Sequence, residues 1–502
     1  MTAPANRSRP SATASPSQRT DRRIVLNTGA LAGSSLWRIG VSFVLQVVIA
    51  RFLGAAGLGQ YVTALAWLNV CQVLSELGLP QLLVRDLARH PERKRRAFAA
   101  ALLAQITAAF LIWAGIFGLT AILPYPPGTR LALRLITASL PFFAITSVCE
   151  MLFQASERME LVMGVEVTIN TLILAASLAA LGLGHGVVVL CALIIGTQAV
   201  SATACLWLVR REHLLDASGR DARQSLAVEM SHLWRHARPF YGLALANVLL
   251  HRLDILLLSI FADAAVTGIY SAAYLIVRVL MILAQTWWQA LYPTFSRLRV
   301  QGEEQYQRLA ALSIRYGLMV FLPGAALSSS AAAWLLGVIY QGADCGAALT
   351  AYRVLIWAAP LFLVASFTVN LLLVERKPQG SLLIAGTHIV VVLSLLPVLT
   401  IRWQAAGAAL AMIAAISASA LVGLALMKRL RVKAGLPRRL PLLLAATLAA
   451  GLLQGGIERV LPWPGFWPGT VTAGFLLYLA LIWRSGVVSA ADLALFRNAL
   501  RR

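Results

Sequence analysis

The sequence predicts an all-helical integral membrane protein, and its composition is the first reason. Of 502 residues, 59% are hydrophobic and 13% are charged, and the mean hydropathy is +0.77. Soluble globular proteins carry about 25% charged residues. Apolar runs recur along the chain, each long enough to cross about 30 Å of hydrocarbon as a helix. Because these runs do not alternate in polarity at every second residue, they are not strands of a membrane β-barrel.

About fourteen membrane-spanning helices account for these runs. They form two six-helix lobes and a final pair. An even number of spans places both termini on the same side of the membrane. The predicted spans are 26–50, 57–83, 97–123, 132–154, 161–183, 187–209, 238–261, 265–292, 315–340, 347–374, 380–401, 404–427, 440–461 and 466–483.

The formal net charge of +23 is concentrated in alternate loops, which gives the chain an orientation. Basic residues cluster in 85–96, 210–223 and 428–433 and in the N-terminal tail. Positively charged loops stay in the cytoplasm, so both termini are predicted to be cytoplasmic. Because the charge follows the loops, no nucleic-acid partner is expected. The opposite loops hold little beyond Arg51, Arg130, Arg134, Arg402 and Arg459.

The loops between the spans are too short for a soluble domain, so any chemistry is expected within or at the membrane. The chain has no CxxC pair among its five cysteines, and neither a metal site nor a disulfide framework is expected. The predicted division is a disordered cytoplasmic tail (1–23), an N-terminal six-helix lobe (24–209), a cytoplasmic connector (210–237), a C-terminal six-helix lobe (238–428), a cytoplasmic loop (429–439), helices 13 and 14 (440–484) and a cytoplasmic tail (485–502).

An internal repeat relates the two lobes. "RFLGAAGLGQYVTALAWL" (51–68) aligns with "IFADAAVTGIYSAAYLIV" (260–277) at a constant offset. Six spans separate the two segments, so both copies have the same orientation and the repeat is parallel. Transporters are often built from repeats with the substrate bound between them. Chance similarity between two turns rich in small residues is the alternative. The matched pairs are Phe52 with Phe261, Ala55 with Ala264, Ala56 with Ala265, Gly59 with Gly268, Tyr61 with Tyr270, and Ala64 with Ala273.

Polar side chains within the spans recur on single helix faces. In the seventh span Asn247, His251 and Asp254 follow the spacing i, i+4, i+7, which places them on one face. An ionisable residue at the bilayer centre costs at least about 2.5 kcal/mol, so such residues usually face water or a partner. The other stripes are Arg278, Gln285, Gln289 and Tyr292 in the eighth span, Asn69, Gln72 and Glu76 in the second, Ser147, Glu150 and Gln154 in the fourth, and Glu166 and Asn170 in the fifth.

These stripes occur in both halves and predict a polar cleft between the lobes. The planar guanidinium of arginine is well suited to bind phosphate, so the buried arginines are candidate anion-binding groups. Internal ion pairs, such as Arg252 with Glu166, are the alternative interpretation. The predicted substrate-binding residues are Arg38, Arg252, Arg278, Arg353, Asn247, Gln285 and Gln289, and the candidates for ion coupling are Asp254, His251, Glu76 and Glu166.

Four segments resemble the Wzx-type polysaccharide flippases of the MOP superfamily, which also contains the lipid II flippases and the MATE exporters. They are "ARFLGAAGLGQYVTALAWL", "SELGLPQLLVRDLAR", "LDILLLSIFADAAVTGIYSAAYLIV" and "VERKPQG", and the resemblance extends over nearly all of 24–484. It implies a central cationic cavity. It also implies alternating access that moves an undecaprenyl-diphosphate-linked oligosaccharide from the inner to the outer leaflet of the bacterial cytoplasmic membrane.

The expected product is a surface polysaccharide, either the O-antigen of lipopolysaccharide, a capsule or an exopolysaccharide. A polysaccharide polymerase and a chain-length regulator are the expected protein partners. Four alternatives remain open: a lipid II flippase, a MATE-like small-molecule exporter, a membrane glycosyltransferase or polymerase, and a non-transporting scaffold. An enzyme is disfavoured, because the outer loops are short and carry no HExxH, GxSxG or paired aspartates. No Walker motif is present, so no nucleotide cofactor is expected and coupling to H⁺ or Na⁺ is the hypothesis.

Overall fold

The computed structural model describes residues 16–90, 93–215, 226–340, 345–429, 440–460 and 467–484, which are helices joined by short turns. The helices are α1 (Pro16–Glu76), α2 (Leu79–Arg89), α3 (Lys94–Ile122), α4 (Pro127–Thr137), α5 (Leu140–Ala155), α6 (Met159–Gly182), α7 (Val187–Arg211), α8 (Leu226–Phe261), α9 (Ala264–Gln301), α10 (Glu303–Ser330), α11 (Ala332–Tyr340), α12 (Cys345–Leu355), α13 (Ala358–Val374), α14 (Pro378–Arg429), α15 (Leu440–Val460) and α16 (Trp467–Arg484). The all-helical fold predicted from the sequence is confirmed.

Helix α14 is an antiparallel hairpin. Gln404 has a positive φ of 49°, which interrupts the helix. A Cβ atom placed on Gly407 would lie 2.0 Å from the carbonyl oxygen of Leu399. Residues eight apart in one continuous helix are separated by about 12 Å, so the chain must reverse here. Ser419 donates a hydrogen bond of 3.4 Å to the carbonyl of Ile384, which pairs the two arms further along.

Helix α1 is broken in the same way. Gly54 has φ 67° and ψ −171°, a conformation that glycine adopts without steric cost. It lies between the predicted spans 26–50 and 57–83. A continuous helix of 61 residues would be about 90 Å long, about three times the thickness of the hydrocarbon layer. Eleven helical stretches of the described chain are long and apolar enough to cross a membrane, and the breaks at Gly54 and Gln404 divide two of them.

The turns define two ends of the bundle. The basic end carries His90, Arg93 and the turns at 156–158, 212–215 and 375–377. The opposite end carries Gly54 and the turns at 123–126, 183–186 and 262–263. One hydrophobic cluster joins the two lobes and contains Tyr61 and Ile136 together with Tyr270, Ala351 and Ala408. The lobes therefore share a core as well as a connector.

The C-terminal helices α15 and α16 pack on the C-terminal lobe through α10. Tyr478 donates a hydrogen bond of 2.7 Å to the carbonyl of Met319. Ser330 donates one of 3.4 Å to the carbonyl of Gly451. Both helices also contribute buried residues to the hydrophobic cluster of this lobe. They are thus attached to the outside of α10 and add to the two-lobed body.

The described residues bear on two of the predicted domain boundaries. Helix α1 already begins at Pro16, within the segment predicted as a disordered tail. Helix α8 begins at Leu226, so the second half of the predicted connector is helical and continuous with the seventh span. Its Leu233 and Ala237 are buried in a cluster of the N-terminal lobe. The remainder of the tails and loops, at 1–15, 216–225, 430–439 and 485–502, lies outside the described residues.

Candidate functional site

The two lobes meet at the opposite end through residues that the internal repeat relates. A Cβ atom on Gly59 would lie 1.8 Å from the carbonyl oxygen of Ala264, and one on Gly268 would lie 1.8 Å from the carbonyl oxygen of Ala55. Gly59 matches Gly268 and Ala55 matches Ala264 in the repeat. The two contacts are therefore equivalent and are related by an approximate two-fold rotation axis. The predicted parallel repeat is confirmed, and only glycine allows the second and eighth spans to approach this closely.

Hydrogen bonds also join the lobes at this end. Trp67 donates through Nε1 to the hydroxyl of Tyr125 across 3.0 Å, and that hydroxyl is 2.8 Å from the hydroxyl of Ser259 on α8. Both hydroxyl-bearing residues are buried. Arg51 donates across 2.6 Å to the carbonyl of Val338, in the last turn of α11, where the helix dipole favours a cation. The two lobes are therefore in direct contact at the opposite end.

Within the C-terminal lobe, Asp254 accepts a side-chain hydrogen bond from a tyrosine. Its side chain is on α8 and is buried, and the hydroxyl of Tyr270 on α9 donates to its Oδ2 across 2.9 Å. The Tyr270 ring stacks on Tyr274, with ring centroids 5.8 Å apart and planes 13° apart. Asp254 thus lies between two helices of one lobe, whereas His251, predicted on the same face, is exposed.

Arg252 and Arg278 form a pair of like charges on adjacent helices. Both side chains are half-buried, and their guanidinium groups are close enough for the charges to repel. Asp254 and Tyr274 are the groups of opposite polarity that act on Arg252. Across the described residues neither arginine makes a hydrogen bond or an ion pair. Each guanidinium therefore keeps its N–H donors available for a hydrogen-bond acceptor.

The other residues of this lobe that were predicted to bind substrate or couple ions are exposed to solvent or lipid. Asn247, Gln285, Gln289 and Arg353 are exposed, as is His251, whose Nδ1 is 2.9 Å from the carbonyl of Asn247. His388 of α14 was not among the predicted site residues, and it is half-buried and close enough to His251 for their charges to interact. Its position as a lone histidine inside an apolar span was the signal available in the sequence.

The N-terminal lobe holds a separate cluster that is mainly acidic. Arg38 on α1 forms an ion pair of 3.4 Å with Glu166 on α6. Glu150 on α5 is close enough to Glu166, Glu76 and Arg38 for their charges to interact. Ser147 donates a hydrogen bond of 3.4 Å to the carboxylate of Glu76. Glu166 therefore pairs with Arg38, and not with Arg252 as in the alternative interpretation.

Comparisons with known proteins agree with this architecture. A family model described as "Polysaccharide biosynthesis protein" matches residues 24–299. Among solved structures, the fold is similar to that of the lipid II flippase MurJ in an inward closed conformation, with a TM-score of 0.68, 11% identity, and coverage of 95% of this chain and 100% of that chain. An inward-facing multidrug resistance MATE family transporter of the MOP superfamily gives a TM-score of 0.63 at 14% identity, with coverage of 79% and 95%.

A third similar structure is a MOP superfamily transporter from Pyrococcus furiosus, which has a binding pocket of reversed polarity. Its TM-score is 0.52 at 15% identity, with coverage of 83% of this chain and 95% of that chain. At such identities the similarity shows a shared fold. A comparison with curated protein sequences gives no match.

Proposed function

The chain belongs to the polysaccharide biosynthesis protein family and has the fold of MOP-type transporters, and from this premise we propose that it is a lipid-linked oligosaccharide flippase. Its substrate is an oligosaccharide linked to undecaprenyl diphosphate, which it moves from the inner to the outer leaflet of the bacterial cytoplasmic membrane. The product serves the synthesis of a surface polysaccharide. The basic end faces the cytoplasm, because positively charged loops remain there.

The observation that carries the proposal is the unpaired couple Arg252 and Arg278. A diphosphate offers several acceptor oxygens, and each guanidinium can donate two parallel hydrogen bonds to them. Binding also removes the repulsion between the two cations. An exporter of cationic drugs would need an acidic group available to the cation, whereas Asp254 beside these arginines is buried and accepts a hydrogen bond from Tyr270.

The joined opposite end supports alternating access. With the lobes in contact at Gly59 and Gly268, a headgroup between them is shielded from the outer side. Separation of this contact would open the cleft outward, while the polyprenyl chain stays in the lipid. The headgroup is thus never exposed to hydrocarbon, where its charges would be costly.

The test is flipping in proteoliposomes that contain undecaprenyl-diphosphate-linked oligosaccharide. We expect Arg252→Gln and Arg278→Gln each to reduce the rate at least tenfold, because each loses charge-assisted hydrogen bonds. Arg402→Gln is the matched control, since this arginine is exposed at the opposite end. Wild-type rates in both cleft variants at equal protein levels would disprove the assignment.

A lipid II flippase is the second candidate, and the similarity to the lipid II flippase MurJ over 95% of this chain favours it. The same flipping assay distinguishes the two candidates when lipid II replaces the undecaprenyl-diphosphate-linked oligosaccharide in a second set of proteoliposomes. Faster flipping of lipid II would select the second candidate. We infer transport rather than catalysis in both cases.

Ion coupling and protein partners are part of the proposal. H⁺ or Na⁺ would act at the candidates in the two lobes, Asp254 and His251 in one and Glu76 and Glu166 in the other. Unchanged flipping after the proton and sodium gradients are collapsed would remove coupling from the mechanism. Co-purification from membranes tests the expected association with a polymerase and a chain-length regulator.

A further inference from the structure

Helix α9 carries a strip of polar side chains that leads from Arg278 towards the basic end. Arg278, Gln285, Gln289 and Tyr292 follow the spacing i, i+7, i+11, i+14, which keeps them within about 60° around the helix axis. Gln285, Gln289 and Tyr292 are exposed. In the described part of the chain, neither glutamine makes a hydrogen bond.

Between Arg278 and Tyr292, the exposed side chains of α9 outside the strip are Val279, Leu283, Thr286 and Ala290, and the hydroxyl of Thr286 donates to its own helix, at the carbonyl of Ile282. Leu283, which is 54% exposed, lies on the other side of the helix. A glutamine that faced hydrocarbon would leave its amide donors and acceptor unsatisfied, at a cost of about 2 kcal/mol or more. The strip that begins at Arg278 is therefore expected to border water, and the side of the helix that carries Leu283 is expected to face lipid.

An apolar groove lies directly beside the strip, between α9 and α13. It is too narrow to hold a water molecule. Its aromatic wall is fixed, because Trp288 donates to the carbonyl of Leu363 across 3.1 Å and packs on Phe367 with ring centroids 4.6 Å apart. The groove is lined by Trp288, Tyr292, Phe295, Phe367, Asn370, Leu371 and Val374.

We propose that this strip is the glycan-binding part of the cleft, and this inference rests on the proposed function. The diphosphate lies at Arg252 and Arg278, and the sugars extend along α9 towards the basic end. Gln285 and Gln289 bind sugar hydroxyls, because a hydroxyl and a primary amide each offer a donor and an acceptor. Tyr292 packs against the apolar face of a sugar ring.

The chemistry of the strip favours a neutral sugar over a second phosphate. Between Arg278 and Tyr292 the strip carries two uncharged amides and a phenol, whereas a phosphate would require further cations. Arg299, further towards the basic end, is paired with Glu303 and Glu375. At a rise of about 1.5 Å per residue, Gln285 lies about 10 Å and Tyr292 about 21 Å from Arg278 along the axis. The strip is thus longer than one sugar, and it selects among glycans by the sugars nearest the diphosphate.

Binding to the full-length chain in nanodiscs tests the proposal, with tryptophan fluorescence as the readout. The two probes are bare undecaprenyl diphosphate and the same carrier with its oligosaccharide. We expect Gln285→Ala combined with Gln289→Ala to weaken binding of the glycan-bearing carrier about tenfold and to leave the bare carrier unchanged. Arg278→Gln weakens both probes, and Leu283→Ala, on the lipid side of the same helix, weakens neither.

Tyrosine variants provide a second measurement that does not depend on the glutamines. Tyr292→Phe keeps the ring and should keep the affinity for the glycan-bearing carrier, whereas Tyr292→Ala should lower it. Equal weakening of both probes by the double glutamine variant would overturn the inference, as would equal wild-type affinity for both. Those results leave the proposed function intact. A wild-type chain that binds neither probe would overturn the proposed function and this inference with it.

Discussion

Arg93 donates a hydrogen bond of 2.7 Å to Glu229, whose side chain is only 4% exposed. This pair joins the start of α3 to the first turn of α8, ahead of the point at which α8 enters the C-terminal lobe. The first part of α8, which lies at the basic end of the bundle, is thereby attached to the N-terminal lobe. Gly78 strengthens this attachment, because its φ of 72° and the backbone of Tyr241, 2.5 Å from where its Cβ would lie, leave room only for glycine.

Glu229→Gln should lower the free energy of unfolding by about 2 kcal/mol, because a buried ion pair loses one partner. The value lies below the range for fully buried pairs, since Arg93 is 36% exposed. Glu160→Gln is the control, because Glu160 pairs with Arg158 on the surface and such pairs contribute little. Chemical unfolding of both variants in detergent measures the difference. Equal losses would show that burial of Glu229 has no consequence.

Gly59→Leu and Gly268→Leu should each prevent the lobes from meeting at the opposite end. A side chain at either position must displace the backbone of the facing helix. We expect spin labels placed across this end to report longer distances, and flipping to fall together with the loss of closure. Gly118→Leu is the control, since nothing lies within 4 Å of a Cβ there. Unchanged spin-label distances in Gly59→Leu and Gly268→Leu would show that the close contact of these two glycines is not needed for the lobes to meet.

The hydrogen bonds from Trp67 through Tyr125 to Ser259 should be coupled. Tyr125→Phe removes both bonds, and we expect it to destabilise the closed state by about 1–2 kcal/mol. A double-mutant cycle of Trp67→Phe and Ser259→Ala should give a coupling of about 0.5 kcal/mol or more, because both residues share one hydroxyl. Strict additivity would mean that the two bonds form independently.

Arg278→Gln should stabilise the empty protein, although it weakens substrate binding. The change removes repulsion with Arg252, and we expect a gain on the order of 1 kcal/mol. In the wild-type protein, undecaprenyl diphosphate should raise the melting temperature, and in the variant this rise should be smaller. Thermal unfolding with and without the ligand measures both effects. A less stable empty variant would indicate that Arg278 has a structural role.

Tyr270→Phe should destabilise the C-terminal lobe by about 1–3 kcal/mol, because the buried carboxyl group of Asp254 loses its hydrogen bond. Tyr274→Phe is a matched control, since this ring stacks on Tyr270 and makes no hydrogen bond within the described chain. Differential scanning fluorimetry of the two variants compares them directly. A similar loss in both would show that the stacking, and not the hydrogen bond, stabilises this site.

The fold was accessible from the sequence because the bilayer imposes simple rules. Apolar runs long enough to cross it must be helical, since backbone groups find no water there. The break at Gly54 fell between two predicted spans for that reason. The repeat also predicted which residues form equivalent positions, and the structure shows Gly59 and Gly268 in reciprocal contact.

The pairing of the polar groups was less accessible, because helix periodicity assigns a face but not a neighbour. His251 and Asp254 differ by only about 60° around α8, yet one is exposed and the other packs against α9. From the sequence, Glu166 could pair with either Arg38 or Arg252. The packing of α1 on α6 in the structure selects Arg38. The groove beside Asn370 depends on the position of α13 against α9, which no local pattern specifies.

The reciprocal contact of Gly59 and Gly268 also bears on how such a chain arises. A residue on a two-fold axis meets its own counterpart, so a half-length ancestor with one such glycine would have formed this joint by self-association as a homodimer. Duplication and fusion of such an ancestor would convert one position into two. In the fused chain, a bulky side chain at either glycine would push against the helix that carries the other. Both positions must therefore remain small for the contact to form.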